Sequence, residues 1–347
     1  MEEKNLLKYV RFSLSWIILL FGIFSCSPSN ESNVVVLNGT TMGTTYQIKL
    51  VKPEGKNYKT IHAQIDSLLR LINLEMSTYI DSSEISRFNQ FKDTTWFAIS
   101  KDFYTVLRKA LEISKMTNGA YDITVGPLVN LWGFGPENRR EQIPSEKEIK
   151  ERLKNVGYKN ILIKENPYSV KKRNEKIYVD LSSIAKGYGV DKVAGFLDDN
   201  GFTAYMVEIG GEVRTKGKKN KSDFWKIGIQ YPDGSNKISK IVKLFNLSMA
   251  TSGDYYNYFE INGKRFSHTI DPRTGRPVTH NLVSVSVVDP SCATADGWAT
   301  ALLVLGPEEG FRFALKHNFP VIMFIHENGK YVEKSTPGFK KLIEEFN

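Results

Sequence analysis

Asp296 and Thr300 are the two residues whose types and spacing point most directly to chemistry. They stand four positions apart in the apolar run Ala293–Leu305, which predicts a helix, so their oxygens face one side of it. A carboxylate beside a hydroxyl suits Mg²⁺, a hard cation that keeps coordination sites for phosphate oxygens. The simpler interpretation is an aspartate favoured by the dipole at a helix start, with Thr300 merely exposed.

The segment Asp180–Gly189 is a candidate phosphate site. The sequence predicts a strand end, then hydroxyl residues, then a helix start, where backbone N–H groups and the helix dipole favour anions. It matches neither the Walker nor the dinucleotide fingerprint, and a capped turn would explain it equally well. Residues 119–135 place glycines and large aromatic residues in one loop, which suits either a flat ligand or a well-packed loop.

His268 follows Ser267 at a predicted strand end and is the candidate proton acceptor. A positioned histidine can serve near neutral pH, although a single histidine is more often a surface or structural residue. The following Asp271–Gly275 segment is at minimum a favourable turn. The sequence contains no CxxC, HExxH or GxSxG motif, so common zinc, redox and serine-hydrolase sites are not indicated.

The helices and strands that must position these residues follow one another along the chain in no regular order. Helices are predicted over 59–76, from a Ser100 cap to a stop at Gly119, from a Ser145/Glu148 capping box to Gly157, and from about Ser183 to Asp198. Extended runs occupy 34–51, and further strands are predicted at Lys176–Asp180, Tyr205–Ile209, Trp225–Gln230, Ile241–Leu247 and Leu282–Val288. Hairpin turns are expected at Asn262-Gly263 and near Asn328-Gly329. No regular βαβ repeat emerges, so the expected class is α+β.

The first 25 of the 347 residues predict an export signal, with a basic start and a short apolar run. Cys26 then follows a small residue, as in a bacterial lipobox, and would be lipidated; an ordinary secretory signal and a retained anchor are the alternatives. Residues 26–33 would be a tether and 34–347 one domain. We therefore expect an exported protein, anchored by lipid on the periplasmic side of a bacterial membrane.

The composition is that of a globular protein. Apolar residues make up 41% of the chain, and its formal charge is +9, spread over the whole length. The basic stretch Lys216–Lys226 is interpreted as a solvated hairpin loop rather than a nucleic-acid patch.

Eight motifs, in order over almost the whole chain after the export signal, resemble the ApbE family of FAD:protein FMN transferases. They are MGTTY at 42–46, MSTY with SEISRFN at 76–89, YDITVGPLVNLWGFGP at 121–136, DLSSIAKGYGVD at 180–191, GGE at 210–212, TSGDY at 251–255, SHTIDPRTGRPV at 267–278 and ADGWATAL at 295–302. The resemblance implies an α+β fold related to the T-fold, with FAD bound in a cleft together with Mg²⁺.

The resemblance also assigns roles to individual residues. It implies flavin or adenine contacts at Met42 and Tyr79, and Mg²⁺ contacts at Ser183 (through its carbonyl), Asp296 and Thr300. The remaining implied FAD positions are Ala120, Tyr121, Asp122, Asp180, Lys186, Thr269 and Ile270. We expect His268 to be the general base, with Asp271 as the second candidate.

The implied reaction splits the FAD pyrophosphate, joins FMN through a phosphoester to a threonine or serine of a target protein, and releases AMP. Typical targets would be subunits of redox pumps of the Na⁺-translocating quinone reductase and Rnf types, with a motif resembling Asp-x-x-Ser/Thr-x-Ala-Thr. The nearest match in this chain, Asp180–Lys186, ends in lysine, so a separate acceptor is implied. The alternatives are an FAD pyrophosphatase that yields FMN and AMP, and a flavin-binding lipoprotein without catalysis.

Overall fold

The computed structural model describes residues 34–346, except for 53–54, 136–142, 221–222, 236, 255–257 and 262–263. The predicted export signal, Cys26, the tether 26–33 and the turn at Asn262-Gly263 lie outside the described residues. The helices are α1 (Tyr58–Met76), α2 (Glu84–Gln90), α3 (Lys101–Met116), α4 (Gly126–Leu131), α5 (Glu146–Leu153), α6 (Ala185–Asp199), α7 (Cys292–Lys316) and α8 (Pro337–Phe346), with a 3₁₀ turn at Tyr158–Asn160. None of these helices is long and apolar enough to cross a membrane.

Antiparallel pairing joins the described strands into sheets, which confirms the expected α+β class. The strands are β1 (Val34–Thr41), β2 (Thr44–Val51), β3 (Phe97–Ala98), β4 (Ile161–Lys164), β5 (Ser169–Lys172), β6 (Tyr205–Ile209), β7 (Glu212–Lys216), β8 (Trp225–Gln230), β9 (Ile238–Leu244), β10 (Ser248–Gly253), β11 (Tyr258–Ile261), β12 (Lys264–Ser267), β13 (Ile270–Asp271), β14 (Arg276–Pro277), β15 (Leu282–Asp289), β16 (Val321–Glu327) and β17 (Lys330–Ser335). Within the described residues, eight strands form the main sheet in the order β1-β2-β6-β7-β10-β15-β16-β17. The smaller sheets are β3-β5-β4, β8-β9, β11-β12 and β13-β14.

The main sheet is covered on both faces, because side chains alternate along each strand. On β6, Tyr205 and Val207 enter the larger hydrophobic cluster, which α1, α6 and α7 share, whereas Met206 enters a second cluster on the opposite face. The β8–β9 hairpin and α8 cover that second face through Trp225 and Phe339.

The register of the sheet gives it two distinct ends. Val34 pairs with Val51, Leu50 pairs with Tyr205, and Tyr205 pairs with Lys216, so Val34 and Lys216 share one end, which we call the Val34 end. The turn between β1 and β2 and the start of β7 at Glu212 lie at the other end, the Glu212 end. Eight residues of β2 separate the two ends by about 25 Å.

Local sequence signals located the helix starts correctly. Ser100 Oγ accepts a hydrogen bond from the Phe103 amide at the start of α3. Ser145 and Glu148 form the expected capping box of α5. The last hairpin also turns where expected, since Asn328 and Gly329 both adopt the left-handed conformation with φ of 49° and 73°.

One strand prediction was wrong, and a second strand has different bounds from those predicted. Lys176–Asp180 belongs to no sheet. The Asn89 side-chain amide exchanges two hydrogen bonds with the Val179 backbone. The other backbone amides of the segment that form hydrogen bonds donate to Asn174 and to the Ile123 carbonyl rather than to a neighbouring strand. The strand predicted at 241–247 is β9, which ends at Leu244. Asn246 has a φ of 55°, and this left-handed turn ends the ladder.

Helix α7 is interrupted at Gly306, which has a φ of 81° and precedes Pro307. A Cβ added to Gly306 would lie 2.8 Å from the His280 ring. We expect Gly306→Ala to lower the free energy of unfolding by about 1–3 kcal/mol, measured by urea denaturation. Gly195→Ala in α6 is the matched control: its added Cβ meets nothing within 4 Å, so it should be neutral or stabilising by up to about 1 kcal/mol. Equal effects of the two substitutions would contradict the strain argument.

The half-buried Glu75 of α1 predicts a pH-dependent stability. Burial, together with the charges of Asp102 and Glu84, raises the pKa of Glu75 from 4.5 to about 7. A carboxyl with a raised pKa costs stability as the pH rises from its unfolded to its folded value. We expect Glu75→Gln to gain stability relative to the wild type between pH 4.5 and about 7, reaching about 1 kcal/mol and then levelling off. Thermal melts across this range would measure the gain, and the exposed Glu112→Gln should show none.

Candidate active site

A cavity of about 380 Å³ opens at the Glu212 end of the sheet. Most of the residues predicted to form a site line it together: Ala120, Tyr121, Asp122, Asp180, Ser183, Lys186, His268, Thr269, Ile270, Asp296 and Thr300. Their source elements are far apart in sequence, namely the α3–α4 loop, the start of α6, the segment around β13, and α7. The main sheet and its helices therefore assemble one site from all of these segments.

Asp296 is tied directly to the start of α6. Its Oδ2 accepts a hydrogen bond from the Gly187 amide at 2.9 Å. Glycine is required at 187, because an added Cβ would lie 2.5 Å from the Cys292 carbonyl oxygen and 2.8 Å from the Asp296 Cβ. On the next turn of α7, the Thr300 and Ser252 hydroxyls lie 3.1 Å apart. One wall of the cavity therefore presents a buried carboxyl group and two hydroxyls.

Asp191 fixes the start of α7 and thereby the positions of Asp296 and Thr300. Its carboxylate accepts the Cys292 and Ala293 amides at 2.9 and 3.0 Å. It also pairs with Arg214 of β7 at 2.5 Å. Acceptance of backbone amides at a helix N-terminus is stabilising, since those groups have no partner within the helix. A single carboxylate therefore connects α6, β7 and α7 behind the cavity.

Lys186 is a fixed positive charge in the cavity. Its Nζ lies 2.6 Å from Glu212 Oε2, and Glu212 is only 1% exposed. Burial lowers the pKa of Lys186, but the neighbouring charges of Asp296 and Glu212 outweigh this effect and raise it. Burial raises the pKa of Asp296 and of Glu212, whose carboxyl groups compete for this one ammonium group. Lys186 therefore remains protonated at neutral pH and can bind an anionic ligand.

The loop side of the cavity is held by internal hydrogen bonds. Ser183 Oγ donates to the Tyr121 hydroxyl at 2.9 Å. Both carboxyl oxygens of Asp122 are engaged by the protein, one by Thr124 and the other by the Tyr158 amide at 2.7 Å. Asp122 therefore shapes the loop, while the Ser183 hydroxyl is already directed at Tyr121.

His268 also lines the cavity, next to an aromatic stack. The Phe134 ring lies 6.3 Å from the His268 ring in an edge arrangement and stacks on Phe259 at 5.2 Å. Phe259 in turn stacks on Phe266 at 5.2 Å. The stack supports the imidazole on one side, and both His268 and Phe134 line the cavity.

The sequence model of the ApbE family matches residues 42–323. This chain belongs to the ApbE family. Its relatives include the FAD:protein FMN transferases of Vibrio cholerae, 43% identical over 95% of this chain and 99% of that protein, and of Haemophilus influenzae, 46% identical over 90% and 93%. The solved flavin transferase ApbE from Vibrio cholerae superposes with a TM-score of 0.83 at 44% identity, covering 89% of this chain and 98% of the other. The apo flavinyl transferase ApbE of Pseudomonas stutzeri gives 0.83 at 35% identity, over 89% and 96%.

The expected ApbE resemblance is thus confirmed, as is the enzyme class that it implied, since these relatives carry the name FAD:protein FMN transferase. Three residues with expected ApbE roles do not line the cavity. Met42 occupies the turn between β1 and β2, with a φ of 51°. Tyr79 follows α1 and is 72% exposed. Asp271 forms a two-point ion pair with Arg273, at 3.0 and 2.9 Å. Their assigned roles remain predictions.

Half of the residues that line the cavity were not predicted as site residues, and among these are Glu212, Ser252 and Phe134. Each of these three stands in one of the eight ApbE-like motifs, at a position to which the resemblance assigns no role. The signal for Glu212 was an acidic residue directly after two glycines. Its importance depends on Lys186, whose position 26 residues earlier gives no local indication of contact.

Proposed function

We propose that this ApbE protein transfers FMN from FAD to a threonine or serine hydroxyl of an acceptor protein and releases AMP. The observation that carries the proposal is the cavity in which the fixed ammonium of Lys186 and the buried carboxyl groups of Glu212 and Asp296 lie together with His268. A pyrophosphate under attack requires charge neutralisation and positioning more than covalent catalysis. The names of the relatives support FAD as the substrate.

Mg²⁺ fits the donor groups on the wall of the cavity that carries Asp296. Carboxylate, hydroxyl and carbonyl oxygens are ligands that a hard cation prefers, and Asp296, Thr300 and the Ser183 carbonyl would supply them. Within the part of the chain that the structure describes, no three His, Cys, Asp or Glu side chains form a metal cluster, so substrate phosphates and water would complete the coordination. When bound, the ion supplies charge neutralisation at the pyrophosphate.

The residues of the chain account for binding and proton transfer. Lys186 and the start of α6 bind phosphate oxygens through positive charge and the helix dipole. His268 accepts the proton of the acceptor hydroxyl as its oxygen bonds to the FMN phosphorus. The bond from that phosphorus to the bridging oxygen breaks, and AMP leaves with that oxygen. One phosphoester bond forms for one pyrophosphate bond broken.

Glu212→Gln should weaken the response to Mg²⁺. Without the Glu212 charge, Lys186 is left with Asp296 as its nearby carboxylate, which is the proposed metal ligand. We expect the Mg²⁺ concentration for half-maximal transfer to rise about tenfold, with a smaller change in the rate at saturating Mg²⁺. Glu208→Gln is the control, since Glu208 Oε1 accepts the Gly211 amide outside the cavity. An unchanged Mg²⁺ dependence in Glu212→Gln would contradict this role.

Two other activities could use the same cavity. An FAD pyrophosphatase would direct water instead of an acceptor hydroxyl at the phosphorus, and a flavin-binding lipoprotein would hold FAD without cleaving it. The names of the relatives favour the transferase, and a storage protein needs no lysine–carboxylate cluster beside a histidine.

The proposed setting is the periplasmic side of a bacterial membrane, with the chain anchored by a lipid on Cys26. The apolar run before a small residue and Cys26 supports this anchor. The acceptors that we propose are redox-pump subunits with a motif like Asp-x-x-Ser/Thr-x-Ala-Thr. Labelling cells with a fatty-acid analogue should mark the wild type and not Cys26→Ala.

The experiment that tests the transferase uses residues 27–347, because the described hydrophobic clusters all lie beyond residue 34. The protein is incubated with FAD, Mg²⁺ and an acceptor bearing the motif, and the control is the same acceptor with its final threonine changed to valine. Transfer predicts in-gel flavin fluorescence on the first acceptor only, with an equal amount of AMP. AMP and free FMN without a labelled band would indicate the pyrophosphatase, and intact FAD would indicate the binding protein.

A further inference from the structure

The Val34 end of the sheet is opposite to the cavity. Val34 and Lys216 lie at this end, whereas Glu212, which lines the cavity, lies at the other. Helix α6 follows the same direction: Lys186 at its start faces the cavity, and its last residues lead into β6 at the Val34 end. The chain that precedes Val34 therefore joins the domain about 25 Å from the site.

Lysines are concentrated in the loops and strand ends at the Val34 end, and we call this group the lysine rim. Among the described residues there, it comprises Lys52, Lys56, Lys216, Lys218, Lys219 and Lys226. The acidic residues of the same segments are fewer, namely Asp198, Asp199 and Asp223, with Glu54 between Lys52 and Lys56 in the sequence. Asp198 pairs with Lys216 at 2.8 Å, and Asp223 lies 3.7 Å from Lys226. The rim therefore has an excess of positive charge.

The exposed members of the rim converge on one place. Lys56 Nζ donates to the Asn200 carbonyl at 2.6 Å and lies over the Phe202 ring, so the 52–57 loop is next to the α6–β6 connection. An added Cβ at Gly217 would touch Thr203 and Ala204, so the loop with Lys218 and Lys219 adjoins the same connection. Lys218 also lies over the Phe224 ring at 4.5 Å.

We propose that the lysine rim is a membrane-docking surface that binds anionic phospholipid headgroups. This proposal rests on the proposed lipid anchor at Cys26, because seven residues, 27–33, connect that cysteine to the rim side of the domain. A tether of that length spans at most about 25 Å when extended, so the Val34 end stays close to the bilayer. Clustered lysines near an anionic membrane bind it electrostatically, and lysine stems and aromatic rings suit the interfacial region.

Docking in this way orients the enzyme. With the Val34 end on the bilayer, the cavity at the Glu212 end opens about 25 Å away from the headgroups. An acceptor threonine would then have to be presented on a segment that projects from the membrane. Docking through the lysine rim thus restricts acceptors to those whose modified residue lies at this distance from the membrane, in addition to the requirement for the motif.

Vesicle binding by the chain from residue 27 onwards tests the rim apart from the lipid. We expect sedimentation with phosphatidylcholine vesicles that contain phosphatidylglycerol and not with phosphatidylcholine alone, and release by added salt. The double variant Lys218→Glu/Lys219→Glu should lower the partition coefficient by about tenfold or more. Lys52→Glu/Lys56→Glu, in the other loop, should have a similar effect. Lys147→Glu/Lys150→Glu, on exposed positions of α5, makes the same change of charge elsewhere and should alter binding less than about twofold.

Three results would overturn the proposal: no binding of the wild type to anionic vesicles, wild-type binding by both rim variants, or an equal loss in the α5 control. FMN transfer to a soluble acceptor peptide is the independent readout and should be the same in all variants. Failure of the transferase would appear as absent transfer with vesicle binding intact, so the two proposals fail separately.

Discussion

Asp296→Asn is expected to lower the rate of FMN transfer by at least about a thousandfold. Asparagine keeps the size of the side chain and an oxygen for the Gly187 amide, so the contact between α6 and α7 survives. It removes the charge that would hold Mg²⁺, and with it the neutralisation of the pyrophosphate. It also removes one of the two carboxylates that hold Lys186. Binding and catalysis should therefore both weaken.

Single-turnover transfer and FAD binding with and without Mg²⁺ would separate these two effects. We expect FAD binding in Asp296→Asn to lose its dependence on Mg²⁺ while the melting temperature stays close to the wild-type value. Asp199→Asn, on the exposed last turn of α6, makes the same chemical change outside the cavity and should be neutral. A transfer rate within tenfold of the wild type in Asp296→Asn would refute the metal assignment.

His268→Ala is expected to retain FAD and to lose about 10²–10⁴-fold in transfer rate. His268 is the one histidine among the described residues that line the cavity, and Phe134 supports its ring from one side. Removal of the base should slow proton removal from the acceptor hydroxyl without disturbing Lys186 or Asp296. The equilibrium affinity for FAD should change by less than about threefold, because the base acts on the acceptor.

Added imidazole distinguishes a base from a structural role, since a small base that enters the vacated space should restore part of the transfer rate. His326→Ala is the control: His326 packs on Tyr331 in the β16–β17 hairpin, outside the cavity lining. Asp271→Asn tests the second candidate, and we expect little loss because that carboxylate is engaged by Arg273. Full transfer by His268→Ala, or loss in Asp271→Asn instead, would reassign the base.

Sequence reasoning succeeded where the determinant is local. The caps at Ser100 and Ser145 act within four residues, and the spacing of Asp296 and Thr300 is a property of one helix. It failed where a distant group decided the outcome. The segment 176–180 has the composition of a strand, but the Asn89 side chain takes the place of a neighbouring strand.

The same difference between local and long-range determinants explains which residues of the site could be predicted from the sequence. Each motif could be recognised within its own segment, which is why half of the residues that line the cavity could be predicted from the sequence. The pairing of Lys186 with Glu212 and the anchoring of α7 by Asp191 join elements up to about a hundred residues apart. No local spacing encodes these contacts, because they arise only when the main sheet brings α6, β7 and α7 together.

The contact between Gly187 and Asp296 also determines when activity can first appear. The two residues are separated by 109 positions, and the helix that carries Asp296 is anchored by Asp191 across a similar span. A contact of such long range can form only after the chain between the two residues has closed into a loop. A chain that is translocated unfolded therefore has no active site during passage. On the proposed export route, the chain therefore cannot transfer FMN in the compartment where it is synthesised. It becomes active only after both α6 and α7 have crossed the membrane.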